Sequence, residues 1–216
     1  MAFYSLWMLL ATLLFTLTNL MMRLLTEHYG VMEIMFYRSL FGVIFIVYIL
    51  YRTGTSIKTN CFFLHLKRCS SGFLALVTCV LLLKLLPFAI AQTLWYTNPI
   101  FFALFFVISF CRAKKAINWN LVLAILIGFL GVLVIMRPDF SSATILLTLL
   151  GLFSGFISGV ADWNIRALAL VKEPRERIIF YFFSIGTLLS LVYILVVPEE
   201  GFHPHTMESI AVLLLM

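Results

Sequence analysis

Charge is what this sequence has least of. Only 11% of its 216 residues are Asp, Glu, Lys or Arg, and nine of them are acidic. A water-soluble domain carries about 25% charged residues, so there is too little polar surface to coat a globule, and the soluble classes are excluded. The 63% apolar content and a mean hydropathy of +1.12 agree. No nucleic-acid partner is expected despite a pI near 9.3, because the basic excess has to sit in short loops, where it reports orientation. Cysteine is also sparse. Cys61, Cys69, Cys79 and Cys111 include no C-x-x-C pair, so they are read as free thiols, with no metal and no cofactor. The N-terminus lacks the basic segment and small-residue cleavage site of a signal peptide, and its apolar run is kept as the first helix.

What is present is long apolar runs. At about 20 residues per span, the apolar content suffices for roughly seven. The runs are Phe3 to Met22, Ile34 to Tyr51, Cys69 to Leu83, Leu85 to Cys111, Ala116 to Met136, Phe140 to Ala161 and Ile178 to Pro198. An eighth begins at Ser209 and reaches Met216, only ~12 Å of helix against a ~30 Å hydrocarbon core. The chain is expected to stop inside a helix that a longer parent fold completes.

Orientation follows from the basic residues. Arg52, Lys58, Lys67 and Arg68 fall between spans 2 and 3, and Arg112, Lys114 and Lys115 between spans 4 and 5. Arg166, Lys172, Arg175 and Arg177 fall between spans 6 and 7. The other side holds Arg23, Arg38, Lys84 and Arg137. Eleven of the 15 basic residues therefore share one side, which places those loops and the N-terminus in the cytoplasm of a cell with a multi-pass protein in its inner (plasma) membrane.

A repeat runs at an offset of about 144 residues: Phe36-Tyr37-Arg38-Ser39-Leu40-Phe41-Gly42 against Phe180-Tyr181-Phe182-Phe183-Ser184-Ile185-Gly186. Each copy then reaches a Tyr-Ile-Leu triplet, at 48–50 and 193–195. Five spans separate the copies, an odd number, so the second enters the membrane inverted, as in secondary transporters.

The sequence resembles the EamA branch of the drug/metabolite transporter superfamily. The resemblance is carried by Phe36-Tyr37-Arg38-Ser39, Lys84-Leu85-Leu86-Pro87 and Asn98-Pro99-Ile100-Phe101. Gly128-Phe129-Leu130-Gly131-Val132 and Met136-Arg137-Pro138 complete it. It implies an all-α polytopic membrane protein with an inverted five-helix repeat architecture. The first repeat is complete at 1–140, and the second is partial at 141–216, with helices 6, 7 and the start of 8. It also implies a permease for a small metabolite or drug-like solute, working by alternating access between the repeats and not an enzyme. One departure is Phe110-Cys111-Arg112-Ala113, where the family usually carries a Gly-Glu pair.

Polar residues at membrane depth are the candidate substrate-binding groups, because a charge near the bilayer centre costs at least ~2.5–3.5 kcal/mol. Arg38 and Lys84 either snorkel to the interface or attract an anionic group. Asn19, in Thr16-Leu17-Thr18-Asn19, is expected to hydrogen-bond another helix. Gln92, Tyr96 and Pro99 fall at i, i+4 and i+7, with Trp95 beside them and Asn98 before the proline. Pro99 cannot donate to the Trp95 carbonyl, so this stretch is either a kinked cavity wall or a packing kink. Asp162 is expected at the cytoplasmic interface, paired with Arg166 at i+4, leaving no mid-membrane carboxylate. Gly151, Gly155 and Gly159 form a close-packing stripe toward either another helix or a second copy in a homodimer.

Three other readings have discriminating features. A truncated, non-transporting fragment that needs a partner copy would fail to move solute alone. A seven-helix retinal protein or receptor would want a lysine in span 7, and Ile178 to Pro198 has none. A membrane-embedded enzyme would group polar catalytic residues at depth, whereas His28, His65, His203 and His205 are all assigned to loops.

Overall fold

The computed structural model describes residues 2–112, 119–136 and 142–197. Its eight helices are α1 (Ala2–Leu25), α2 (Val31–Thr53), α3 (Phe62–Leu85), α4 (Phe88–Trp95), α5 (Asn98–Arg112), α6 (Trp119–Met136), α7 (Ser142–Leu170) and α8 (Arg175–Val196). Among the described residues, six stretches are long and apolar enough to cross a membrane: Ser5–Leu25, Val31–Thr53, Phe62–Leu85, Phe88–Arg112, Ile145–Leu170 and Arg175–Val196. The expected fifth span is represented by α6, whose apolar helix Val122–Gly131 is shorter than these. The eighth span expected from Ser209 lies outside the described residues, as do His203 and His205.

Local chemistry sets the boundaries. α2 ends at Gly54, whose φ of 65° is cheap only without a Cβ. α3 ends at Leu86, held extended by Pro87, and its last amide closes onto the Leu82 carbonyl at 2.8 Å. The long apolar run after Pro87 breaks at Tyr96 and Thr97. The Tyr96 amide donates to Gln92, the Thr97 hydroxyl to Leu94 at 2.7 Å, and Ile100 and Phe101 then restart the ladder on the Thr97 carbonyl. α7 ends through Lys172 at φ 58° and an amide from Glu173 to the Leu168 carbonyl, and Pro174 opens α8.

Two sequence assignments move. α3 starts at Phe62, seven residues before the charge-free run, so Lys67, Arg68 and His65 lie on a helix and not in a loop. His65 is fully buried. α7 runs on past Ala161 to Leu170, which takes Asp162 and Arg166 into the helix. Both shifts have one cause: a charged or polar side chain ends an apolar run, yet it need not end the helix beneath it.

α3 lies along α7, and α2 along α8. The second contact is reciprocal. A Cβ at Gly42 would sit 2.5 Å from the Phe183 ring, and a Cβ at Gly186 would sit 2.9 Å from the Ser39 hydroxyl. The Ser154 hydroxyl donates to the Ala75 carbonyl at 3.1 Å, joining α7 to α3. The glycine stripe faces this chain's own broken helix: a Cβ at Gly151 would strike Leu94, one at Gly155 would strike the Thr97 hydroxyl, and one at Gly159 would meet Phe101. Met22, Leu25, Ile34, Met35, Val80 and Leu83 form the buried core between α1, α2 and α3. On α1, Leu6, Leu9, Leu13 and Leu17 are exposed, as suits a helix edge against lipid.

Candidate functional site

The break between α4 and α5 faces a cavity of about 340 Å³. Its polar lining is Arg38 from α2, Arg68 from α3, Tyr96 and Asn98 from the break, and Ser158 and Asp162 from α7. Trp95, Pro99, Phe15 and Phe182 supply apolar wall. Every long helix except α6 contributes.

Depth can be read along each helix. Arg38 lies seven residues inside the start of α2, roughly 10 Å, and Arg68 lies six residues inside the start of α3, roughly 9 Å. Because α2 and α3 are consecutive and joined by a short turn, those two starts are at opposite ends of the bundle. The two guanidinium groups therefore enter the cavity from opposite ends. Asp162 is eight residues from the end of α7, roughly 12 Å inside. The lining thus sums to one positive charge, from two arginines and one aspartate.

The partners of these groups are few. Arg38 donates to the Met22 thioether at 3.6 Å, a weak acceptor. Arg68 stacks over the Phe182 ring, 4.3 Å from its centroid. Its Nε and one terminal nitrogen are buried with no hydrogen-bond acceptor. Asn98 hydrogen-bonds the Asp162 carboxylate, and its own Oδ1 has no donor. Tyr96 shares a 3.2 Å hydrogen bond with Thr16 of α1.

Of the residues singled out from sequence, Arg38, Trp95, Tyr96, Asn98 and Pro99 meet at this cavity. Asn19, Gln92 and Lys84 do not line it. Asn19 donates to the Gln92 side chain at 3.1 Å in a buried pair that ties α1 to α4. Lys84 is exposed in the last turn of α3. The expected Asp162 and Arg166 surface pair is not what forms. Arg166 stacks instead on Phe106 and Trp163, 4.4 and 4.7 Å from their centroids, leaving Asp162 to the cavity. Sequence reasoning missed Arg68, Asp162 and Phe182. A signal existed for Asp162: Ser154, Ser158 and Asp162 continue one stripe at four-residue spacing, which places the carboxylate on the polar face of α7.

A second cavity, of about 400 Å³, is lined by Arg68, Ile165, Arg175, Ile178, Ile179, Phe182 and Phe183. Arg68 and Phe182 belong to both linings, so their stacked pair is the wall between the two. Nearby, at the end of the bundle where α3 and α8 begin, a polar clasp closes the helix ends. Glu173 takes hydrogen bonds from His65 and Arg177, each at 3.0 Å. Arg177 also donates to the Ser56 carbonyl at 2.8 Å, and the Tyr181 hydroxyl donates to the Ile57 carbonyl at 3.1 Å. Burial would raise the Glu173 carboxyl, but bonds from His65, Thr59 and Arg177 outweigh it and hold the group down at about 2.

Comparison with known proteins adds the following. Residues 2–137 match the EamA-like transporter family. Over 183 residues the chain is 27% identical to the Pseudopaline exporter CntI of Pseudomonas aeruginosa, in each of two strains. The alignment covers 84% of this chain and 63% of the exporter, so the chain spans less than two thirds of the length of these relatives. No solved structure matches.

Proposed function

The chain belongs to the EamA-like transporter family, and from that premise we propose that it is an inner-membrane permease that carries a small metabolite or drug-like solute through the central cavity. Movement is by alternating access between two inverted halves, residues 1–140 and the stretch from 141 onward, with the N-terminus in the cytoplasm. The carrying observation is the cavity itself. Its walls come from α1 to α5 on one side and α7 and α8 on the other, so sliding one group past the other changes which end is open.

The contact between α2 and α8 supports the inverted relation. Gly42 meets Phe183 and Gly186 meets Ser39, and at the repeat offset of 144 Gly42 corresponds to Gly186 and Ser39 to Phe183. Each contact is thus the image of the other, as a two-fold axis between equivalent segments requires. The seven-span reading is supported by six long apolar stretches plus the shorter apolar helix of α6. That the protein is a carrier and not an enzyme is supported by the same family membership. Export by the relatives is compatible with either direction of transport here.

The test fills the cavity. Ser158→Trp, on the buried face of α7, places an indole in the cavity that the solute needs. Cells making the chain or the variant are compared for their internal and external metabolites, with membrane insertion measured in parallel. The expected result is a solute gradient that depends on the chain and disappears in Ser158→Trp at equal insertion. An unchanged gradient in the variant refutes the proposal. The alternative reading, that transport needs further helices or a second copy, predicts a chain that inserts but moves no solute until one is supplied.

A further inference from the structure

We propose that the clasp of His65, Glu173, Arg177 and Tyr181 is a releasable latch between the two halves, with the loop 54–61 as the strap it catches. This rests on the reading of the halves as parts that slide past each other. The role follows from which pieces of chain are joined. Ser56, Ile57, Thr59 and His65 belong to the first half, and Glu173, Arg177 and Tyr181 to the second. Glu173 accepts hydrogen bonds from His65, at 3.0 Å, and from Thr59. Arg177 donates to the Ser56 carbonyl at 2.8 Å, and Tyr181 to the Ile57 carbonyl at 3.1 Å. All of these bonds cross from one half to the other at the same end of the bundle.

The bonds are arranged to break together. Arg177 and Tyr181 stand at i and i+4 on α8, with Glu173 one turn before them, so a single shift of α8 carries all three side chains off the strap. The strap meanwhile keeps its own shape. Gly54 turns it at φ 65°, the Lys58 amide donates to the Ser56 hydroxyl at 3.2 Å, and the Cys61 amide donates to the Thr59 hydroxyl at 3.0 Å. Its acceptors therefore stay in place for recapture. Water can replace the outer bonds, because Ser56 and Ile57 are exposed, and their release costs little. The bond between His65 and Glu173 is buried, and it sets the strength of the latch. Deeper in the bundle, Arg68 over Phe182 is a further contact between the halves. Cys69, one turn beyond His65 on the same face of α3, is 1% exposed and is uncovered when α3 and α8 part.

The experiment times modification of Cys69 by N-ethylmaleimide, read by peptide mass, for the full chain in lipid nanodiscs. Cys61→Ser and Cys111→Ser remove the more accessible thiols. Cys79, buried six residues from the far end of α3, remains as the internal control. Glu173→Ala takes the acceptor from three donors and should speed Cys69 by roughly 10- to 100-fold. Tyr181→Phe loses one neutral bond and should speed it by roughly 2- to 10-fold. Cys79 should stay within twofold of the parent in both. Because Tyr181→Phe changes no charge, its effect does not come from thiol ionisation, and it carries the test alone if Glu173→Ala fails to fold. Cys69 rates equal to the parent's would overturn the proposal, because the clasp would then hold nothing closed. Cys79 speeding up as much as Cys69 would overturn it too, because the whole bundle would then have loosened. If either happens while Ser158→Trp still abolishes the solute gradient, the latch falls and the transport cavity stands. If Ser158→Trp leaves the gradient intact, the transport reading falls and the latch with it.

Discussion

Adding one methyl group at Gly155 tests how the cavity is held open. A Cβ there would run into the Thr97 hydroxyl and stand 3.3 Å from the Leu94 carbonyl. Thr97 is fully buried, and its hydroxyl donates to that carbonyl at 2.7 Å. Gly155→Ala therefore overpacks the contact, at about 1–3 kcal/mol, and displaces a hydrogen bond worth about 0.5–1.5 kcal/mol. Against this, alanine is better in a helix interior by about 1 kcal/mol. The net loss is about 1–3 kcal/mol, or roughly 2–12 °C in the unfolding midpoint for a chain of this size. Gly131→Ala on α6 is the control, because nothing lies within 4 Å of its added Cβ. Only the helix gain remains there, and the midpoint should rise by roughly 2–4 °C. The assay is thermal unfolding followed by tryptophan fluorescence in one detergent, for the parent and both variants. Opposite signs are expected. A midpoint for Gly155→Ala at or above that of Gly131→Ala refutes the close seating of α7 on the α4 and α5 break.

Three further outcomes are expected. Replacing either partner of the buried Asn19 and Gln92 pair by leucine strands the other and should cost about 1–3 kcal/mol; the double variant should recover part of that loss, and strictly additive midpoints would show that the pair is not coupled. Because the Glu173 carboxyl is depressed from 4.5 to about 2, its stabilising contribution is complete above pH 4.5 and is lost as pH falls from 4.5 through 2; acid unfolding of Glu173→Gln should lack that component, and identical acid profiles would contradict the clasp. Lys84→Gln should leave solute transport and binding within twofold of the parent, since the lysine is exposed and off the cavity; a large loss would place it on the solute path.

The membrane class and most spans were legible because apolar runs are a direct consequence of lipid as solvent. Pro99 also announced an interruption in the fourth run, and Trp95, Tyr96 and Asn98 around it do reach the cavity. What sequence did not show was depth. Arg68, His65 and Asp162 were read as flanks because each ends an apolar run, yet α3 and α7 continue beyond them. The Asn19 and Gln92 bond joins positions 73 residues apart, a pairing that no helical period can indicate. Similarly, the glycine stripe declared a close contact without its partner, and only the fold supplied Leu94, Thr97 and Phe101.

The paired contact of α2 with α8 also bears on ancestry. If two halves once met as identical copies, Gly42 of each would have faced residue 39 of the other, and the two contacts would have been the same. They are no longer the same: one glycine now receives an aromatic ring and the other a hydroxyl. A serine at both positions would leave empty the space over Gly42 that the Phe183 ring now fills, a packing loss on the order of a few kcal/mol. The halves have become complements. A copy of the first half set against itself would be a poorer fit than the pair this chain contains, so divergence at a single matched position ties the two halves into one polypeptide.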